Sequence, residues 1–253
     1  LLGILSKVQK LSDKYVLLGE LRGDLMSVTP KADTYLRQVN DFQVDAQTND
    51  LADVKDYYAV INNCNYFLSK ADTNLVDKGR KPFLKEYRVV MTIRAWTYLQ
   101  LALNYGSAYY YEKPILSLDD AKQNLPVFTP EQIIDTMIVQ LKGLNPIVNN
   151  EIPSYGSIEG VQLKNLYLNT LCVLGDLYLW KASFSHATTD YEQAATYYAA
   201  VMLQEKMVID DVFSVTYAND QFLKMNDRWS DIFAFTSSKE VVSMIKLAPT
   251  ASE

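Results

Sequence analysis

Few residues in this chain could do chemistry, and each has to be weighed against a plainer role. His186 is the single histidine, and it falls in a break between two helical patterns. A histidine base needs a neighbour that fixes its tautomer, and no spacing here supplies one, so a solvated polar residue is the simpler account. Paired-histidine and paired-cysteine metal spacings are both missing, as is a glycine-rich phosphate loop. Carboxylate pairs of the glycosidase kind need only be close in space, and nothing in the order of the acidic residues favours them. The expectation is therefore no catalytic residue, no metal and no cofactor.

Arg94 and the run Tyr109-Tyr110-Tyr111 remain. Arg94 interrupts the stretch 86–106 (EYRVVMTIRAWTYLQLALNYG), which places Val89, Ile93, Trp96 and Leu103 on one face and Tyr87, Val90, Met91, Tyr98, Leu101, Ala102 and Tyr105 on another. A helix apolar on two faces packs between other elements. A guanidinium there must have its charge paired and its donors satisfied. Arg94 is read as a structural charge tied to a carboxylate, with Glu20, Asp24 and Asp56 as candidates; a ligand contact is the alternative. The three tyrosines follow the helix-ending Tyr105-Gly106 and so fall on a loop. Alternation turns Tyr109 and Tyr111 outward, as ring faces for a sugar or peptide side chain, and Tyr110 inward. Tyr109 and Tyr111 are the candidate ligand-binding residues, although most of the 18 tyrosines should be packing.

The elements that must position these residues read as helices. Leu1, Ile4, Leu5, Val8, Leu11 and Tyr15 repeat with helical period, as do Leu51, Val54, Tyr58, Ile61, Asn65 and Leu68. Lys78-Gly79-Arg80-Lys81-Pro82 breaks the second run and opens the Arg94 helix. Thr129-Pro130-Glu131-Gln132 combines an N-cap, a first-turn proline and a capping-box glutamine. Leu171-x-x-Leu174-Gly175-x-x-Tyr178, then Ala187-x-x-x-Tyr191-x-x-Ala194, follows the spacing of a tetratricopeptide repeat, without its terminal proline. Antiparallel helix pairs are expected near 51–70 with 83–105 and near 160–183 with 189–204. Strand formers at Val241, Val242, Met244, Ile245 and Leu247 predict minor β structure near the carboxyl end. The fold class expected is all-α: tetratricopeptide-like helix hairpins in an irregular superhelical array.

At 253 residues, with 49% hydrophobic and 21% charged, the chain can bury a substantial core. Its net charge of -6 and lack of a basic stripe exclude a nucleic-acid partner. Cys64 and Cys172 each sit in an apolar helical pattern, where a thiol behaves as a small hydrophobe, and spacing does not decide whether they pair. No membrane-length apolar run occurs, and Leu1 begins in mid-pattern, so an export signal and lipid-attachment cysteine are expected upstream.

Arg94-Ala95, Tyr98, Leu101 and Tyr105-Gly106, preceded by Tyr58-x-x-Ile61-Asn62-x-x-Asn65, resemble the amino-terminal half of the SusD-like nutrient-binding lipoproteins of the Bacteroidota outer membrane. The resemblance continues through Gly19-Glu20-Leu21-Arg22-Gly23-Asp24, the helix opened by Thr129-Pro130, and Trp229-x-x-Ile232-Phe233 with Glu240. It implies that 1–253 is one amino-terminal helical domain, without the family's carboxyl-terminal half. It also implies non-catalytic capture of a glycan ligand at the cell surface and delivery to a TonB-dependent, SusC-like outer-membrane transporter. In that family the loop after this helix contributes glycan contacts, and the tyrosines match its position, although no tryptophan stands there. The rival reading is a tetratricopeptide-type adaptor that recognises proteins alone.

Overall fold

In the computed structural model the described residues are 1–204, apart from 24–25, 45–47, 80, 82, 149–150 and 159–160. In chain order they form α1 (Leu2–Gln9), α2 (Ser12–Glu20), α3 (Thr34–Asn40), α4 (Lys55–Lys70), α5 (Leu84–Tyr105), β1 (Ala108–Tyr109), α6 (Leu118–Ala121), β2 (Val127–Phe128), α7 (Pro130–Gly143), β3 (Ser157–Ile158), β4 (Val161–Gln162), α8 (Thr170–Ser185) and α9 (Thr188–Gln204). The fold is all-α, with two short hairpins: Ala108 faces Phe128 across β1 and β2, and Ser157 faces Gln162 across β3 and β4.

α5 is the axis of the molecule. Every residue from Val89 to Leu99 is buried, which follows from apolar side chains on both faces. α4, α7 and α8 all pack on it, and α1 covers α4 from outside. α4 runs antiparallel to α5: the Tyr57 and Tyr105 rings meet edge to face at 5.7 Å at one end, and Asn65 meets Arg94 at the other. Leu18, Leu21, Val39 and Leu51 form a smaller core between α2, α3 and the segment before α4. The start of α7 is set by the reciprocal bonds of Thr129 and Gln132, each side chain meeting the other's main-chain N–H.

α8 begins later than periodicity suggests. Asn169 caps it by accepting from the N–H groups of Leu171 and Cys172, and β3 and β4, followed by a 3-10 turn over Leu163–Leu166, stand where a first helical turn was expected. His186 closes α8 in the left-handed region, φ 54°, exposed and donating its N–H to Ala182 O at 2.8 Å.

Gly175 carries the close approach of α9. A Cβ there would lie 2.5 Å from Tyr198 Cε1, and the Tyr198 hydroxyl donates to Asp176 Oδ1 at 2.6 Å. Gly175→Ala must push that ring away and break its hydroxyl contact. The expected loss is about 1–3 kcal/mol of stability, read as a lower urea midpoint at unchanged slope.

Cys64 and Cys172 do not form a disulfide with each other, and burial pushes the Cys64 thiol up to about 12. No helix among the described residues is long and apolar enough to cross a membrane. The segment 241–247 lies outside the described residues, as does the Trp229 and Glu240 part of the resemblance.

Candidate functional site

Gly106, at φ 84°, ends α5 by returning its N–H to Ala102 O at 2.9 Å. The chain leaving it crosses α4 and is held there by one polar stripe, Tyr58, Asn62 and Asn65. Tyr58 Oη accepts from the N–H of Tyr109 at 2.8 Å. Asn62 binds Ile115 twice, its amide nitrogen donating to the carbonyl at 2.9 Å and its amide oxygen accepting from the N–H at 2.7 Å. Asn65 Nδ2 donates to Tyr111 O at 2.9 Å. A side-chain amide offers the same donor and acceptor as a peptide group, so α4 satisfies main-chain groups that a strand partner would otherwise satisfy.

On this frame the three tyrosines separate. Tyr109 is 54% exposed. Tyr110 lies inward, stacked on Phe128 with centroids 4.6 Å apart and tilted against Tyr98 at 5.3 Å, and its hydroxyl donates to Glu112. Tyr111 is 9% exposed, which corrects the expectation that its ring faces outward. It stacks on Tyr58 with centroids 6.2 Å apart, and burial pushes its hydroxyl up to about 12. Alternation needs a continuing strand, and β1 ends at Tyr109. Beyond it Tyr98 Oη accepts from the N–H of Tyr111 and donates to its carbonyl, both at 3.1 Å. That double bond to a buried hydroxyl draws the whole residue in.

Val127 stands opposite Tyr109 in the β1–β2 register and is likewise exposed. Directly opposed residues of an antiparallel pair share a face, so the ring and the isopropyl group form one apolar surface. Sequence reasoning missed Val127, because the pairing that brings it beside Tyr109 spans the α6 segment between them.

Arg94 is 4% exposed and has no carboxylate partner among the described residues, where neutral side chains take the place of the expected ion pair. Its Nη1 donates to Asn65 Oδ1 at 2.8 Å, and its Nη2 to Gln140 Oε1 at 2.9 Å and Met91 Sδ at 3.3 Å. Its Nε has no partner among the described residues. Asp56 pairs with Lys14 at 3.8 Å, Glu20 makes no ion pair among the described residues, and Asp24 lies outside them. The negative charge arrives at one remove: Gln140 Nε2 donates to Glu112 Oε1 at 2.7 Å. An amide between a cation and an anion is polarised by both, which strengthens each bond. A ligand approaching from solvent meets Tyr109, not this guanidinium.

His186 and Cys64 are far apart in the fold's logic, one a solvent-facing cap and the other a core thiol. Among the described residues no three His, Cys, Asp or Glu side chains gather as metal ligands.

No family model matches the chain, and no curated protein matches it. Among solved structures, a SusD-like protein from Bacteroides fragilis aligns with a TM-score of 0.51 and 20% identity. The alignment covers 75% of this chain and 37% of that one, so the chain spans little more than a third of that protein's length. The helix pairs gathered around α5 thus have the SusD-like fold.

Proposed function

We propose that the chain is the amino-terminal portion of a cell-surface lipoprotein that captures oligosaccharides without chemistry and hands them to a TonB-dependent outer-membrane transporter. The observation that carries this reading is the Tyr109–Val127 surface on a loop pinned from beneath by Tyr58, Asn62 and Asn65. An exposed aromatic face held rigid loses little freedom when a sugar ring stacks on it. Loops on a rigid helical frame are also where binding residues concentrate. The SusD-like fold supports the same reading.

Calorimetry of the full-length protein against plant, host and microbial polysaccharides tests it. On a ligand so found, Tyr109→Ala is expected to weaken binding by about 1–3 kcal/mol, the range for aromatic stacking on nucleic-acid bases. Its melting temperature should stay where it was, since the ring is mostly in solvent. Unchanged affinity would move the binding surface away from this loop.

One observation favours the adaptor reading: Leu179, Trp180 and Phe184 leave an exposed apolar stripe on α8. Retained protein partners with no polysaccharide binding at all would decide for it.

A further inference from the structure

Asp77, Lys78, Lys81, Lys85 and Glu86, around the start of α5, and residues 153–155 line an open cavity of about 590 Å³. That is room for one or two sugar rings. It lies apart from the Tyr109 loop, and no residue lining it has a role in the site described above. Lys78, Lys81 and Lys85 line it, in a chain whose net charge is -6. Lys78 and Lys81 have no ion-pair partner among the described residues, and Lys78 stands in the left-handed region at φ 48°, unfavourable for a residue with a Cβ. Lys85 meets Glu151 at 2.6 Å, but both side chains are solvent-exposed and such a pair is weak.

Glu86 and Asp77 supply the opposing charge. Glu86 Oε1 accepts from the Tyr155 hydroxyl, while Oε2 is buried without a partner among the described residues. Tyr155 is therefore anchored by its hydroxyl and leaves 59% of itself exposed beside the cavity. A fixed aromatic face with a polar surround is a platform for a sugar ring. Lys85 and Glu151 offset one another, so Lys78 and Lys81 are the two ammonium groups here that no carboxylate among the described residues holds, and they are the charge left to meet an acid group.

We infer that this cavity binds a saccharide unit bearing a carboxylate, a uronic acid, with Tyr155 under the ring and Lys78 and Lys81 on the acid group. The inference rests on the reading of the chain as a glycan-binding protein, and it adds a second site with its own ligand class.

The test titrates the full-length protein with digalacturonate and cellobiouronate, each beside its neutral parent, digalactose and cellobiose. The acidic sugars should bind more tightly than the neutral ones, less so as sodium chloride is raised. Lys78→Ala/Lys81→Ala, two exposed positions that leave the fold alone, should weaken an acidic sugar by about tenfold or more. Acidic sugars that bind no better than their parents, or that ignore the double substitution, overturn the inference, as does the absence of binding by all four. The polysaccharide panel and Tyr109→Ala judge surface capture separately, so either site can fail while the other stands.

Discussion

Arg94→Ala is expected to cost about 3–5 kcal/mol of stability, the largest effect of any single change considered for this chain. Three losses combine. Asn65 Oδ1 and Gln140 Oε1 lose the donors that satisfy them at 2.8 and 2.9 Å, and a buried acceptor left alone costs about 1–3 kcal/mol. The guanidinium stem also fills space between α4, α5 and α7 that Ala leaves empty. Urea unfolding followed by circular dichroism reads the loss as a shifted midpoint. Arg94→Met refills the volume and isolates the polar part: it should recover some of the loss and leave the rest. A protein with Ala at this position that melts like the parent would show that the guanidinium ties nothing together.

Asn65→Leu is expected to cost about 3 kcal/mol through the opposite half of the same contact. Here the charge stays and its acceptor goes, in a guanidinium whose Nε already lacks a partner among the described residues. The carbonyl of Tyr111 loses the Asn65 amide as well, keeping only Tyr98. The two residues are in direct contact, so the double change Arg94→Met/Asn65→Leu should cost less than the two single changes together, by about 1–2 kcal/mol. Strict additivity in that cycle would contradict the coupling. Asn65→Leu should also loosen the loop main chain and so weaken any glycan that binds at Tyr109, which Arg94→Met should do less.

Several parts of this fold are legible in the amino-acid order. The two-faced apolar pattern of 86–106 requires a central helix, and α5 is that helix. The capping residues at 129–132 and the small residue at 175 act through bonds and contacts within a few positions or one helix pair, so local chemistry suffices to read them. The loop was less legible for a reason that is also physical. The inward turn of Tyr111 is imposed by Tyr98 and Asn65, which are 13 and 46 positions away. Period-two alternation cannot contain that. The neutral partners of Arg94 were hidden for a related reason. Charge rules search for carboxylates, and Gln140, 46 positions on, interposes an amide before Glu112 is reached. A polar residue recurring on one side of α4, at 58, 62 and 65, was the available signal.

That clamp has a consequence for how such a surface can change. The bonds that the side chains of Tyr58, Asn62 and Asn65 make to the loop end on main-chain atoms of Tyr109, Tyr111 and Ile115. The loop's course therefore does not depend on what side chains stand at Tyr109, Lys113 or Leu116. Mutations at these positions can exchange one chemical surface for another while the path of the chain stays put, so new ligand preferences are reachable by single steps that never pass through an unfolded intermediate. A library randomised at 109, 113, 116 and 127 on this frame should accordingly retain a high fraction of folded members, each presenting a different face to the same stretch of solvent.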